Sequence, residues 1–467
     1  MFSAFLQVLL QVLSMFGYLI WSFLALTWWF LAFIILAPLV YSAWFFWRKS
    51  MYKEAMTIND LWLIMEIRIP REIKKNPRAM EQVFSAIYSL RNAPGTLAEK
   101  WWDGEVTRWY ALEIVTFGGE THFFVRLYRK QKTLLEAAFL SYYPDLELVE
   151  VDDYTDRLPK SMKEIDEQGY DLWGTEVVLT REDAYPIKTY EDFESPDEDK
   201  QYDTMSSFFE LFSSLKREEI IGFQILIAPA DLDWWKKWSK LLNDLNTKKD
   251  ERKLGTDTSF PSDYGLGPLP MFEINTPGKD DMGFLKTAFR TPGETDILKA
   301  IGNNLSKVAF DTLIRFIYLS PKSTFTDSIP RRGIKGVLNQ FASLNLNSFK
   351  FNDKTAVGTA RVLLFHFPFI FPHVRSQYKK SRNIYNYIRR EVPEENFIGK
   401  LFTSKIFNWN FHSKRFAMNT ECLATLYHPP TFLALTAPHV KRIESRKGGP
   451  PAGLAIFGGE ENVEKLR

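Results

Sequence analysis

The first 47 residues contain no Asp, Glu, Lys or Arg, although the 467-residue chain carries 59 basic and 57 acidic residues. So long an uncharged stretch excludes an ordinary solvated surface at this end. It also exceeds twice the roughly 20 apolar residues that cross a hydrocarbon core. Cysteine is nearly absent. Cys422 stands alone, which excludes a disulfide within the chain and suits a reducing compartment.

The phosphate loop G-x-x-x-x-G-K-[ST] is missing. The Gly-Lys pairs are Gly278-Lys279 and Gly399-Lys400; neither is followed by Ser or Thr, and neither has a Gly five places upstream. This excludes a phosphate-loop NTPase within the sequence. His122, His366, His373, His412, His428 and His439 form no H-x-x-x-H or H-E-x-x-H spacing, so a zinc site has no ligand set. No G-x-S-x-G nucleophile elbow occurs. Asp152-Asp153 and Glu460-Glu461 are adjacent acidic pairs whose side chains diverge, whereas acid–base work needs converging carboxylates. The expectation is a chain without catalytic residues, cofactor or metal.

What is present begins with the apolar end. Residues 21–47 read as the better membrane span, with Trp21 and Phe23 at one end and Trp44, Phe45, Phe46 and Trp47 at the other. Residues 2–18 carry Gln7 and Gln11 on one helical face and read as an interfacial or partner-facing helix, with a second span as the alternative. Arg48, Lys49 and Lys53 follow directly. The positive-inside rule then predicts a single-pass protein of the inner (cytoplasmic) membrane with its soluble part in the cytoplasm. A cleaved signal peptide fits poorly, because a basic n-region is lacking and the apolar run is too long.

From residue 61 the pattern turns α+β. Strands are expected at 61–70, 109–117, 121–129 and 146–151, with helices at 79–91 and 132–144. That order, strand–helix–strand–strand–helix–strand, is the split βαβ or ferredoxin-like arrangement. A second unit repeats it. Its strands are expected at 174–180, 219–229, 311–321 and 347–352, and its helices at 203–216 and 328–344. Between its middle strands lie helices at 231–245, capped by Asp231, and at 294–310, around a Gly-, Pro-, Lys- and Asp-rich insertion near 247–293. The predicted organisation is a membrane anchor (1–50), two ferredoxin-like units (58–155 and 170–356), and a helical and basic linker segment (357–467).

Charge is segregated. Residues 145–203 hold 20 acidic and 6 basic side chains; residues 371–449 hold 14 basic and 5 acidic. The acidic block reads as solvated surface with a loop. In the basic block, 376–392 reads as a helix; Arg375 just before it and its Lys379, Lys380, Arg382, Arg389 and Arg390 are candidate partner or nucleic-acid contacts beside Tyr385 and Tyr387. An exposed, solvated helix face is the competing reading.

Near the end, "RFAMNTECLATLYHPP" (415–430) reads as a short helix capped at Asn419 or Thr420 and ended by Pro429-Pro430. A basic, Pro/Gly-rich stretch with "PPAGL" follows. This order resembles the membrane-anchored N-terminal region of type IV secretion and conjugation motor ATPases, the HerA- and TraG-like kind found in Patescibacteria. In that family a helix of the form L-N-T-E-E-L-A-T-L-[YF]-H-[FL]-P precedes a P-P-x-N-L-P linker. Asn419, Thr420, Glu421, Leu423, Ala424, Thr425, Leu426, Tyr427, His428 and Pro430 match the helix, and Pro450, Pro451 and Leu454 the linker. Residues 109–127, 142–155 and 186–194 also resemble the family's anchored region, so the likeness spans most of 50–455.

Cys422 stands where the motif has its second Glu, and Gly453 where the linker has Asn. The sequence stops where the family's motor would begin, so no catalytic residue is carried over. The resemblance implies a non-catalytic, membrane-anchored scaffold of a type IV secretion or conjugation-like machine. It would dock a separately encoded secretion ATPase or form a homo-oligomeric ring. Two alternatives stay open: a DNA-binding accessory module, and the anchor half of a split ATPase.

Overall fold

The computed structural model describes residues 2–58, 61–70, 75–194, 202–242, 245, 292–358, 360–362, 365–367, 372–392, 411–431 and 442–443. The insertion near 247–293, apart from its last two residues, and the "PPAGL" stretch lie outside them.

The uncharged end is one helix, α1 (Phe2–Ile58), running through Gly17 and Pro38. At 1.5 Å per residue, its 57 residues extend about 85 Å. The stretch long and apolar enough to cross a membrane is Leu9–Phe30, N-terminal to the expected 21–47. None of its side chains is buried against the body. Residues 2–18 are therefore continuous with the apolar run; no loop near Gly17 makes a hairpin of it. At its other end α1 touches the body: Trp44 packs on Trp102 at 5.8 Å and Arg48 Nε donates to the Trp102 carbonyl at 2.7 Å.

The body is a mixed α+β structure on a largely antiparallel sheet. Four strands form its first part: β1 (Trp62–Pro70), β2 (Tyr110–Phe117), β3 (Glu120–Tyr128) and β4 (Glu147–Val151). Their spatial order is β4-β1-β3-β2, every neighbour antiparallel. Gly118 and Gly119 close the β2–β3 hairpin with φ of 57° and 92°, which side chains of L-residues rarely adopt. Four more strands follow: β5 (Tyr170–Leu179), β6 (Ile220–Pro229), β7 (Ala309–Pro321) and β8 (Phe349–Phe351). Their order is β8-β5-β7-β6, again antiparallel. β2 and β6 pair from Tyr110↔Ile227 to Phe117↔Ile220, so the two parts share one continuous sheet.

Alternation along the strands sets two faces. One presents Met65, Leu112, Ile114, Val125, Phe223, Ile225, Ile314 and Phe316 to a single buried core. That core is closed by α2 (Arg78–Ser89), α3 (Lys132–Tyr142), α5 (Ser206–Ser213), α7 (Ile334–Asn339) and α9 (Thr420–Leu426). The remaining short helices are α4 (Met162–Glu167) and α6 (Pro292–Ser306).

The opposite face is covered in part by α8 (Pro372–Ile388). Two glycines admit it. A Cβ on Gly222 would lie 2.0 Å from Tyr387 Oη, and one on Gly174 would lie 3.2 Å from Asn383 Cβ.

Residues 416–419 form a further strand, β9, paired with β7 from Phe416↔Thr312 to Asn419↔Ala309, and the helix after it starts at Thr420, where the cap reading puts it. Several other expected elements differ. Residues 328–344 split into a π-turn, Ile329–Gly333, and the short α7. Asp231 does not cap a helix: its carboxylate pairs with Arg91, and the expected helix opens with a 3-10 segment, Trp234–Trp238, before residues 239–242 turn α-helical. The acidic stretch is more than solvated loop, since β4, α4 and β5 all lie in it and it buries Tyr154, Leu158 and Ile165.

Candidate functional site

The six cations proposed for α8 and its end are mostly engaged by the fold. Arg390 is 1% exposed. Its guanidinium donates to Glu113 at 2.7 and 3.0 Å and to Asp153 at 2.7 and 3.1 Å. Arg375 is buried, and burial lowers its affinity for its proton. Lys379 Nζ donates to the carbonyls of Asp353 and Ala356, and burial pushes its pKa down to about 8. Lys380 pairs with Asp171. Arg382 lies over the rings of Tyr385 and Phe411, while Arg389, exposed, donates to Tyr385 Oη at 2.6 Å. Thus α8 is neither a free phosphate-binding stripe nor a wholly solvated face. It is a clamp on the sheet.

What it clamps is a row of polar side chains that the sequence reading passed over. Glu113, Gln224, Arg315 and Glu176 sit opposite one another on β2, β6, β7 and β5. All four are essentially sealed from solvent. Gln224 Nε2 donates to Glu113 at 2.7 Å, and Arg315 donates to Glu176 at 3.2 Å and to the carbonyls of Asn386 and Glu391 at 2.7 and 2.8 Å. Buried charges persist only when paired and hydrogen-bonded, and this network satisfies most of them from α8 and the chain after it. Desolvation alone would push the Asp153 carboxyl up, but Arg390 and the Thr155 donors hold it below its usual range. The signal was available in sequence: one charged or amide residue inside each of the apolar strands "ALEIV", "GFQILI", "LIRFI" and "GTEVVL".

The motif helix α9 is likewise internal. Asn419 caps it, its side chain accepting from Cys422 N at 2.8 Å, as expected. Thr420 faces Glu81 on α2, and Glu421 shares Lys307 with Glu81, both at 2.9 Å. Leu423 is fully buried. Thr425 Oγ1 accepts from Tyr190 N at 3.0 Å, and its carbonyl takes Thr204 Oγ1 at 2.9 Å. His428 stands between the Ala424 carbonyl at 2.7 Å and the Asp203 carboxylate at 3.2 Å. Burial opposes ionisation of Asp203, yet His428 and Thr431 outweigh it and keep that carboxyl low. These residues bind segments of both halves of the body together and present no docking surface of their own.

An open groove of about 770 Å³ lies on the sheet face that α8 leaves uncovered. β1 and β3 supply its floor through Trp62, Glu66, His122, Phe124 and Arg126; residues 150–157 supply a wall. His122 Nδ1 is 2.8 Å from Glu66 Oε1, and that hydrogen bond, with Arg68, brings the Glu66 carboxyl down to about 2. Phe124 stacks on Tyr154 at 4.9 Å. Arg126 lies 4.2 Å over the Trp62 ring, and burial pulls its pKa down to about 9. No nucleophile sits against a base in the groove. Among the described residues, no group of three or more His, Cys, Asp or Glu is placed to hold a metal ion. Neither the basic helix nor the motif helix lines the groove, so no sequence-predicted site residue belongs to it.

In comparisons with known proteins, no family model matches this chain, and no curated protein matches it.

Proposed function

We propose that the chain is a non-catalytic, membrane-anchored scaffold subunit of a type IV secretion or conjugation-like machine, which docks a separately encoded ATPase. The observation that carries the anchoring is the join between α1 and the body. The apolar helix runs without interruption into a segment fixed by the Trp44–Trp102 contact and the Arg48–Trp102 hydrogen bond. An anchor so joined holds the body close to the bilayer surface. Arg48, Lys49 and Lys53 favour the cytoplasmic side of the inner membrane. We further read each half of the body as ferredoxin-like, supported by the shared antiparallel order 4-1-3-2 of its strands. The secretion context rests on the motif resemblance at 419–430.

The DNA-binding alternative loses support, because the α8 cations that suggested it have partners within the fold. The test is ATP turnover by the purified full-length protein in detergent, paired with affinity purification from its native membranes. The expected result is no turnover by the chain alone and co-purification of a phosphate-loop ATPase in fixed stoichiometry. Saturable hydrolysis by the chain alone overturns the reading.

A further inference from the structure

The apolar part of α1 is longer than one bilayer. From Leu9 to Trp47 the helix runs about 58 Å at 1.5 Å per residue, against a hydrocarbon core of about 30 Å. Apolar length alone therefore does not fix where the body-side headgroup zone meets α1: just after Phe30, or at the first charges, Arg48 and Lys49. The body supplies a second marker. Between α2 and β2 the chain makes an excursion whose tip, the π-turn Glu99–Asp103, meets α1 at Trp44 and Arg48 rather than at its end, Ile58. This tip turns apolar side chains outward: Leu97 is 77% exposed and Trp102 67%. Its acids are occupied, for Glu99 accepts from Gly95 N at 2.8 Å and Thr96 N at 3.2 Å, and Asp103 faces Arg48 at 4.0 Å. On α1, Phe33, Val40, Tyr41 and Trp47 are exposed as well, so bare apolar surface extends past Phe30 to the level of the Trp44–Trp102 contact. Single exposed apolar side chains are ordinary on a protein in water; a belt of this length is not.

We propose that residues 95–103 form a second membrane contact, with Leu97 and Trp102 seated in the lipid headgroup zone beside Trp44 and Trp47, so that the bilayer surface meets α1 at residues 44–48. Indole rings, apolar in body with one polar N–H, favour that zone. Arg48 lies where apolar surface gives way to charge, held by the Trp102 carbonyl and the Asp103 carboxylate. A register ending at Phe30 would instead leave Phe33, Ile34, Leu36, Leu39, Val40 and Trp47 in water. Two points of contact, unlike a single helix, fix the tilt of the body on the membrane. The inference deepens the membrane-anchored reading and rests on it.

The test places the full-length protein in phosphatidylcholine nanodiscs with an NBD fluorophore on Leu97→Cys, Leu26→Cys or Leu344→Cys. Cys422 is buried and does not take the label. Leu26 and Leu344 are 75% and 98% exposed; the first lies within the span in either register, and the second lies in the body just before the edge strand β8. The Leu26→Cys label reports the anchor and loses its emission to a lipid-borne doxyl quencher. The Leu97→Cys label loses emission to a doxyl group placed near the headgroup and is shielded from aqueous iodide, whereas the Leu344→Cys label does the reverse. Adding Trp102→Glu lifts the loop from the lipid, and the Leu97→Cys label becomes sensitive to iodide. Iodide quenching at Leu97→Cys together with lipid quenching at Leu26→Cys overturns the second contact and leaves the anchor standing. Shielding of Leu97→Cys from both quenchers also overturns it, since another polypeptide then covers the loop. Absence of lipid quenching at Leu26→Cys overturns the anchored reading itself, and this inference with it.

Discussion

Replacing Arg390 by Met tests whether α8 is a clamp or an exposed basic helix. In the folded protein the guanidinium donates four hydrogen bonds, two to Glu113 and two to Asp153. Glu113 is 0% exposed, and without Arg390 its carboxylate keeps only Gln224 Nε2 at 2.7 Å. Removing one partner of a buried pair costs about 3–5 kcal/mol, because the other charge stays buried without compensation. A solvated helix residue would cost within about 0.5 kcal/mol. For a body of this size, roughly 2 °C accompanies each kcal/mol, so the unfolding midpoint falls by about 6–10 °C. Glu113→Gln added to Arg390→Met removes the stranded charge and recovers part of the loss, with a coupling of at least about 1 kcal/mol in the double-mutant cycle. The assay is thermal unfolding followed by circular dichroism on the full chain in detergent. A midpoint within about 1 °C of wild type refutes the clamp, for it would mean that Arg390 is solvated.

Gly222→Ala puts a methyl group where Tyr387 Oη lies, 2.0 Å away, so α8 must lift and stability falls by about 1–3 kcal/mol, read by denaturant titration. Asn419→Ala removes the acceptor for Cys422 N and costs about 1 kcal/mol, whereas Asn419→Ser or Asp retains most of it. Acid weakens the fold in a defined window. Glu66 and Asp203 are held below their ordinary values, so the native state binds fewer protons than the unfolded chain. Their contribution is complete above the unfolded carboxyl range, near pH 4, and drains away as pH falls toward about 2, which an acid titration at fixed salt would follow.

Local pattern made much of the body legible. The β2–β3 hairpin was readable because alternating strands flank Gly118-Gly119, and α3 because a proline follows its apolar spacing. The cap at Asn419 was readable because capping is a contact three residues long. Non-local contacts were not readable. Residues 416–419 become a strand only because β7 offers an edge there. The expected helix at 231–245 begins differently: Trp234–Trp238 is a 3-10 turn, residues 239–242 are α-helical, and Asp231 turns to Arg91 instead of capping. The cations of α8 looked available because sequence shows charge and not the carboxylate facing it: Glu113, partner of Arg390, lies 277 positions away. The apolar end was legible in kind, and its continuity through Gly17 and Pro38 follows from the lack of any polar turn residue cluster to break it.

The most direct test of the anchored scaffold is the intact mass of the protein recovered from alkaline-carbonate-washed membranes of its native cells. The account predicts a chain that still includes α1, retained in the washed membrane fraction. A shortened protein that has lost α1, found in the soluble fraction, contradicts it.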